Sequence, residues 1–165
     1  MNFDLGKHES LNQVSTNWEF GIDGDAVQLE QDMIACMIEN GGIGLAANQI
    51  GITKRIFVMG SYQISEFPEP FAVFNPVILE ASKELVTDQE GCLSFPGLYL
   101  TVKRPKVILV QYQNSKGELC QSELDGYISK CFQHELDHLN GVCFIDRVSQ
   151  MKLQLAVRKQ RKNRK

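Results

Sequence analysis

Apolar residues recur at helical spacing early in the chain and predict an amphipathic helix over residues 26–39. The apolar positions on its expected buried face are Val27, Met33, Ile34, Met37 and Ile38. Asp25 can cap the start of this helix, and Asn40-Gly41-Gly42 can end it. The polar, weakly periodic residues 1–25 predict an irregular segment that packs against the rest of the protein.

The middle of the chain is rich in β-branched and aromatic residues, which predict strands. Residues 55–59 and 71–79 are predicted strands, and Pro68 and Pro70 interrupt the chain between them. Residues 102–113 and 118–124 predict a hairpin that turns at residues 114–117.

A second helical pattern follows the hairpin. Its apolar positions are Ile128, Phe132, Leu136 and Leu139. Asp125 can cap its start, Asn140-Gly141 can end it, and a last helix is predicted from about Ser149. Strands precede the long central helix in runs rather than alternating with helices. This order predicts an α+β fold, with antiparallel sheets packed around that central helix.

Composition adds limits on the class of protein. The chain has 165 residues with 43% apolar and 22% charged residues, which favours a single globular domain over residues 1–165. No apolar run approaches the ~20 residues that span a bilayer, and Met1–Glu9 lacks a secretion signal pattern. We therefore expect a cytoplasmic protein without membrane contact. Without export, the odd count of five cysteines favours reduced thiols over a disulfide framework.

The net charge of −3 conceals a basic tail on an acidic body. From residue 151 onward there are seven basic residues and no acidic residue, which leaves ten basic against 20 acidic residues in the remaining chain. The predicted helix from about Ser149 is therefore basic. Such a tail is typical of a segment that contacts an anionic partner.

The central helix contains the pattern His-Glu-x-x-His. His134 and His138 are four residues apart, so they lie one turn apart on the same face and can bind one metal ion. Glu135 would lie beside that ion without binding it, where a general base for activating water belongs. Two such histidines also occur on the exposed faces of helices without metal. A third ligand would favour the metal site, because catalytic zinc-type sites keep three protein ligands and one open position.

Residues 42–51 are dense in small side chains, which allow a close backbone approach to a substrate or another segment. The stretch lacks the Gly-Lys-Ser/Thr ending of a phosphate-binding loop, so a nucleotide site is disfavoured. Gln49 is its notable polar group, because its amide can donate hydrogen bonds into a site. A loop glutamine with local partners is the alternative.

Three stretches in this order, residues 42–49, Glu-Gly-Cys-Leu-Ser at 90–94 and 133–138, resemble the peptide deformylase family. The resemblance implies that Cys92, His134 and His138 bind one divalent ion, Fe(II) in cells with Zn(II) or Ni(II) as substitutes. It also implies hydrolysis of the N-formyl group from the initiator methionine of new polypeptides. Glu135 would then be the general base, with the Gln49 amide and the Leu93 backbone N–H stabilising the oxyanion.

The resemblance further implies an apolar pocket for the methionine side chain. Its expected lining residues are Ile43, Gly44, Leu45, Tyr127 and Cys131, with Phe95 as a further candidate. The sequence departs from the family pattern at Tyr127, Lys130 and Asp88, where bacterial relatives usually carry apolar residues. Lys130 could lay its stem along the pocket and keep its ammonium in water, or meet an acidic peptide group.

Arg104 has two expected roles. It is either a solvated strand residue or a partner of Asp137 or Glu90 that fixes the ligand helix.

Other functions stay open from the residues alone. A metallopeptidase would draw its third ligand from downstream, where only Cys143 and Asp146 are available. A metal-binding domain without activity would need a fourth ligand. Ribosome-associated deformylases use a basic C-terminal helix, so the tail implies either ribosome contact or a solubilising role, in a protein expected to be a monomer.

Overall fold

The computed structural model describes residues 5, 9–62, 64 and 67–163, which form three α-helices and seven strands. The helices are α1 Ala26–Glu39, α2 Gly126–Leu139 and α3 Gln150–Asn163. The strands are β1 Gly44–Ala46, β2 Ile56–Met59, β3 Phe71–Ala81, β4 Leu85–Gly91, β5 Tyr99–Pro105, β6 Ile108–Gln113 and β7 Leu119–Leu124. Short 3₁₀ helices cover Glu9–Asn12, Ala47–Ile50 and Phe144–Arg147. The predicted α+β class with antiparallel sheets is confirmed.

A five-stranded antiparallel sheet in the order β1-β2-β3-β6-β7 separates two hydrophobic layers. Successive side chains of a strand point to opposite faces. In β2, Ile56 and Val58 therefore join the layer beneath α1, while Phe57 and Met59 join the layer beneath α2. Both faces of β2 are covered by helices, which explains why this strand is apolar at every position.

The predicted α1 is confirmed at both ends. The Asp25 carboxylate accepts hydrogen bonds from the N–H groups of Val27 and Gln28, each at 3.0 Å. Met33 and Met37 are fully buried, but Val27 and Ile38 are exposed, so the buried face is narrower than predicted. Part of the irregular N-terminal segment covers the hydrophobic layer beneath α1, where Trp18 packs edge-on against Phe74.

The prediction of one strand over residues 102–113 is wrong. The chain changes sheets after Pro105, because β5 pairs with β4 in a separate two-stranded sheet while β6 pairs with β3 and β7. Proline lacks the N–H that would continue the ladder, which favours a break at this position. The hairpin between Ile108–Gln113 and Leu119–Leu124 is confirmed. Strand β4, which we did not predict, is polar and mostly exposed, so it lacks an apolar pattern.

Helix α2 packs on one face of the five-stranded sheet, and ten of its 14 residues are buried. Asp125 is its N-cap residue as predicted, but the Asp125 side chain makes no capping hydrogen bond. The Asn48 side chain donates hydrogen bonds to the carbonyls of His138 and Ser10, which ties the end of α2 to the first segment. No helix among the described residues is long and apolar enough to cross a membrane.

Phe132 tests the packing of α2 on the sheet. Its ring meets Phe57 edge-to-face, with centroids 5.0 Å apart, and is 1% exposed. Phe132→Ala should lower the free energy of unfolding by about 3–5 kcal/mol, because the cavity cannot fully collapse. Urea denaturation followed by the fluorescence of Trp18 measures this loss. The control, Leu119→Ala at a 68% exposed position, should change it by less than about 0.5 kcal/mol.

Candidate metal centre

The three predicted ligands come together where β4 ends beside α2. Cys92 directly follows β4, and His134 and His138 lie one turn apart on α2. One ligand atom from each residue lies within 4.8 Å of the others, and Cys92 Sγ is 3.3 Å from His138 Nε2. The two imidazole rings stand nearly perpendicular with centroids 4.9 Å apart. This spacing leaves room for one ion at the centre of the three donors.

Glu90 orients the first histidine. It lies on β4 two residues before Cys92, and both side chains reach α2, where Glu90 contacts His134 and Cys92 contacts His138. The Glu90 carboxylate accepts a hydrogen bond from His134 Nδ1 at 2.9 Å, which leaves Nε2 of His134 for a metal ion. His138 Nδ1 lies 3.9 Å from the Cys143 sulfur. The sequence did not reveal the contacts from Glu90 and Cys143 to these histidines.

Arg104 links the strand that precedes Cys92 to the ligand helix. Its guanidinium donates to Glu90 at 2.5 and 2.9 Å and to Asp137 at 2.8 Å. The alternating burial of β5 places Arg104 on the buried side, where it is 4% exposed, so the solvated role is excluded. Arg147 donates to the same Asp137 from the protein surface. Both expected partners of Arg104 are therefore engaged at once.

The network fixes the charge of Glu90. Burial by itself would raise the pKa of this carboxyl, but the hydrogen bonds from Arg104 and His134 outweigh it and lower the pKa to about 2. Glu90 is consequently ionised at neutral pH and acts as a constant acceptor for His134.

Glu135 has the opposite environment. It is 4% exposed, and burial raises the pKa of its carboxyl to about 7. Among the described residues, its Oε2 atom has no hydrogen-bond partner. A Cβ atom at Gly44 would collide with Glu135 Oε1 and touch Cys131 Sγ, so the glycine is what lets β1 approach α2 here. A buried carboxyl with a free oxygen and a pKa near 7 suits a general base.

Gln49 is buried beside the ligand cysteine. Its carbonyl accepts the Ala46 N–H at 2.8 Å, which orients the amide. Its NH₂ group donates to Ser94 Oγ at 3.0 Å and approaches Cys92 Sγ at 3.5 Å. The role of Ser94 in holding this amide was not predicted. Leu93 follows Cys92 in the chain, and its backbone N–H has no hydrogen-bond acceptor among the described residues.

A cavity of about 610 Å³ opens in front of these groups. Four of the five predicted substrate-binding residues line it, namely Ile43, Gly44, Tyr127 and Cys131. The three predicted catalytic residues also line it, and so do Phe95 and Lys130. The structure does not bring Leu45 to the cavity. Leu45 is fully buried in the layer beneath α1, because neighbouring strand residues point to opposite faces.

The residues fit a resident metal ion. One thiol and two imidazoles suit several divalent transition metals. Among the described residues these three form the only group of metal-binding type, so a closed site with four protein ligands is not supported. A three-ligand site with an open position beside a buried carboxyl is typical of metal-dependent hydrolases.

Comparison with known proteins narrows this class. A sequence profile of the polypeptide deformylase family matches residues 4–154. The peptide deformylase of Rhizobium meliloti is 42% identical over 149 residues, which cover 90% of this chain and 85% of that protein. The crystal structure of a Synechococcus elongatus peptide deformylase in complex with actinonin superposes with a TM-score of 0.87 and 38% identity, covering 96% and 87% of the two chains. An Acinetobacter baumannii deformylase with bound Met-Ala-Ser has a TM-score of 0.79 and 30% identity, covering 90% and 98%.

The chain belongs to the polypeptide deformylase family. Members of this family are metalloenzymes that remove the N-formyl group from nascent polypeptides.

Arg104→Ala tests the network around the ligands. In the metal-free protein, the substitution should lower the free energy of unfolding by about 3–5 kcal/mol, because it removes the guanidinium that pairs with the Glu90 carboxylate and leaves Asp137 with Arg147 as its partner. Denaturation with urea at neutral pH measures the change. Lys106→Ala provides the control, since the Lys106–Glu84 ion pair is exposed on both sides and should contribute less than about 1 kcal/mol. Equal effects of the two substitutions would contradict the importance of the network.

Proposed function

We propose that Cys92, His134 and His138 hold one divalent ion for deformylation. The observation that carries this proposal is the convergence of the three donor atoms within 4.8 Å beside the buried carboxyl of Glu135, whose Oε2 atom has no hydrogen-bond partner among the described residues. When bound, such an ion supplies Lewis-acid activation of water and of the formyl carbonyl. We propose Fe(II) as the native ion, on the resemblance to the family, with Zn(II) or Ni(II) able to occupy the same donors.

Glu135 is the general base of the proposed mechanism. Its carboxylate takes a proton from the water that attacks the formyl carbon, and it returns a proton to the amine nitrogen as the C–N bond breaks. A pKa of about 7 suits both transfers, because the group then accepts and donates at neutral pH. Gly44 supports this role by leaving space for the carboxyl between β1 and α2.

Gln49 and the Leu93 backbone N–H stabilise the oxyanion that forms on the formyl oxygen. The N–H of Leu93 has no acceptor among the described residues. The Gln49 carbonyl accepts a hydrogen bond from the Ala46 N–H, which directs the Gln49 NH₂ group toward Cys92. The N–H that lies 3.5 Å from Cys92 Sγ is the one that donates to the substrate, because the NH₂ group is also bonded to Ser94 Oγ at 3.0 Å, away from the substrate. One oxyanion donor is worth about 3 kcal/mol of barrier in other enzymes.

The first side chain of the substrate occupies the part of the cavity next to α2. Ile43, Tyr127 and Cys131 line that part. The Acinetobacter baumannii deformylase holds the peptide Met-Ala-Ser, whose first residue is the methionine that deformylation leaves at the N-terminus. We infer that a formyl-methionine chain lies in the same cavity here.

Formate release from formyl-Met-Ala-Ser, combined with metal analysis, tests the proposed function. A deformylase releases formate and leaves the peptide bonds intact, whereas a metallopeptidase would cleave the peptide. Release of formate with about one metal ion per chain is the expected result. Cleaved peptide bonds, or a bound ion without any formate, would contradict the proposal.

Glu135→Ala separates metal binding from catalysis. The variant should keep its metal ion, because Glu135 is not a ligand, but its turnover should fall by about 10²–10⁴-fold, the usual range for general acid–base catalysis. Metal content by atomic absorption and formate release check the two parts. Glu123→Ala removes an exposed carboxylate from β7 and should leave turnover unchanged. Retained turnover in the Glu135 variant would refute its assignment as the base.

We propose that α3 contacts the ribosome. Leu153, Ala156 and Val157 pack against β5, and the basic side chains remain exposed. Those basic residues are Lys152, Arg158, Lys159, Arg161 and Lys162, while Arg164 and Lys165 lie outside the described residues. Such an enzyme would work in the cytoplasm. It would act as a monomer, since one chain supplies every proposed site residue.

Charge reversal on α3 tests this contact. Lys159→Glu with Lys162→Glu should weaken ribosome binding roughly tenfold or more, and binding by the unaltered protein should weaken with added salt, because phosphate contacts depend on released counterions. Co-sedimentation with ribosomes measures both. The control reverses the exposed Lys103 and Lys116, which lie outside α3. A salt-independent affinity, or equal losses in both variants, would favour a merely solubilising tail.

A further inference from the structure

Lys130 brings a charged group to the wall of the substrate cavity. Lys130 and Tyr127 both line the cavity, and the Lys130 ammonium lies 4.9 Å from the centre of the Tyr127 ring. The ammonium also forms an ion pair with the Asp88 carboxylate on β4. The Lys130 side chain is only 15% exposed, whereas that of Asp88 is 52% exposed. The lysine therefore faces the cavity, and the aspartate holds it from the solvent side.

Helix geometry places this group away from the ligands. Lys130 lies one turn before His134, about 6 Å along the helix axis. Side chains of a helix lean toward its N-terminus, so the Lys130 ammonium lies beside Tyr127 rather than beside the metal centre. Phe67 packs against the Tyr127 ring with centroids 6.3 Å apart and fixes its position. A substrate whose formyl group lies at the ligands would direct the end of its first side chain toward this wall.

The chemistry of the wall favours a neutral acceptor. An ammonium has three N–H donors, and among the described residues Asp88 is its one hydrogen-bond acceptor. An acidic substrate side chain would meet the negative charge of Asp88 at the same place. A neutral oxygen accepts a hydrogen bond from Lys130 without that repulsion.

We propose that Lys130, held by Asp88 and Tyr127, is a specificity-determining residue that donates a hydrogen bond to a neutral oxygen at the end of the substrate's first side chain. The enzyme would thereby deformylate chains that begin with methionine sulfoxide as well as chains that begin with methionine. Methionine sulfoxide has the length of methionine and carries such an oxygen. This inference rests on the proposed function and names a substrate class within it.

Competing substrates provide the test. The rate of formate release, as kcat/KM, is measured for three peptides of the form formyl-X-Ala-Ser, where X is methionine, methionine sulfoxide or norleucine. In the unaltered enzyme, the sulfoxide peptide should react within about tenfold of the methionine peptide. Lys130→Met keeps an unbranched side chain but removes the donor. It should lower the ratio of sulfoxide to norleucine kcat/KM by about tenfold or more, the usual effect of a lost hydrogen bond to a charged group.

Two further variants test whether the loss of the hydrogen-bond donor causes the change in this ratio. Lys130→Gln restores a neutral donor and should recover part of the ratio. Lys106→Met removes a lysine from an exposed ion pair with Glu84 outside the cavity and should leave the ratio unchanged. Because the ratio is internal to each preparation, partial unfolding of a variant does not alter it.

Each outcome decides between the inference and the function on which it rests. Formate release from the methionine peptide with an equal ratio in the unaltered enzyme and Lys130→Met would overturn the inference alone. A sulfoxide peptide that reacts more than about a hundredfold more slowly than the methionine peptide would do the same. No formate from any of the three peptides would overturn both the inference and the proposed function.

Discussion

The buried ion pairs of Arg104 hold the segments of the candidate metal centre together. Glu90 precedes the ligand cysteine on β4, Asp137 lies between the two histidines on α2, and Arg104 reaches both from β5. These three charges are buried, so each depends on the others to offset the cost of leaving water. The strand that carries the thiol and the helix that carries the imidazoles are thereby fixed relative to one another. The geometry of the ligands follows from that connection.

The same small region holds two carboxyl groups in opposite states. Glu90 is paired with a cation and stays ionised, whereas Glu135 is buried without one and has a pKa of about 7. The first therefore orients a ligand, and the second is able to exchange a proton at neutral pH. This division of roles comes from the partners of each carboxyl, since the two side chains are chemically identical. Gly44 completes the second environment, because its lack of a side chain leaves space for the Glu135 carboxyl.

The lining of the cavity combines apolar and polar side chains. Ile43 and Cys131 supply an apolar surface, while Lys130, Asp88 and Tyr127 supply a polar end. Since the polar end lies one or two helical turns from the ligands, it can affect which side chain is accepted without touching the groups that act on the formyl carbon. The proposed reaction and the proposed selectivity thus depend on different stretches of α2.

The sequence alone predicted the helical part of the candidate metal centre, because that part is local. The spacing of His134, Glu135 and His138 places them around one turn of helix, and the period of apolar residues predicted α1 and α2. Contacts between distant segments were decided by the tertiary structure. The change of sheets at Pro105, the removal of Leu45 from the cavity and the pairing of Lys130 with Asp88 depend on which strand lies beside which helix. A one-dimensional pattern does not specify those neighbours, because it records the period of each element but not its packing partner.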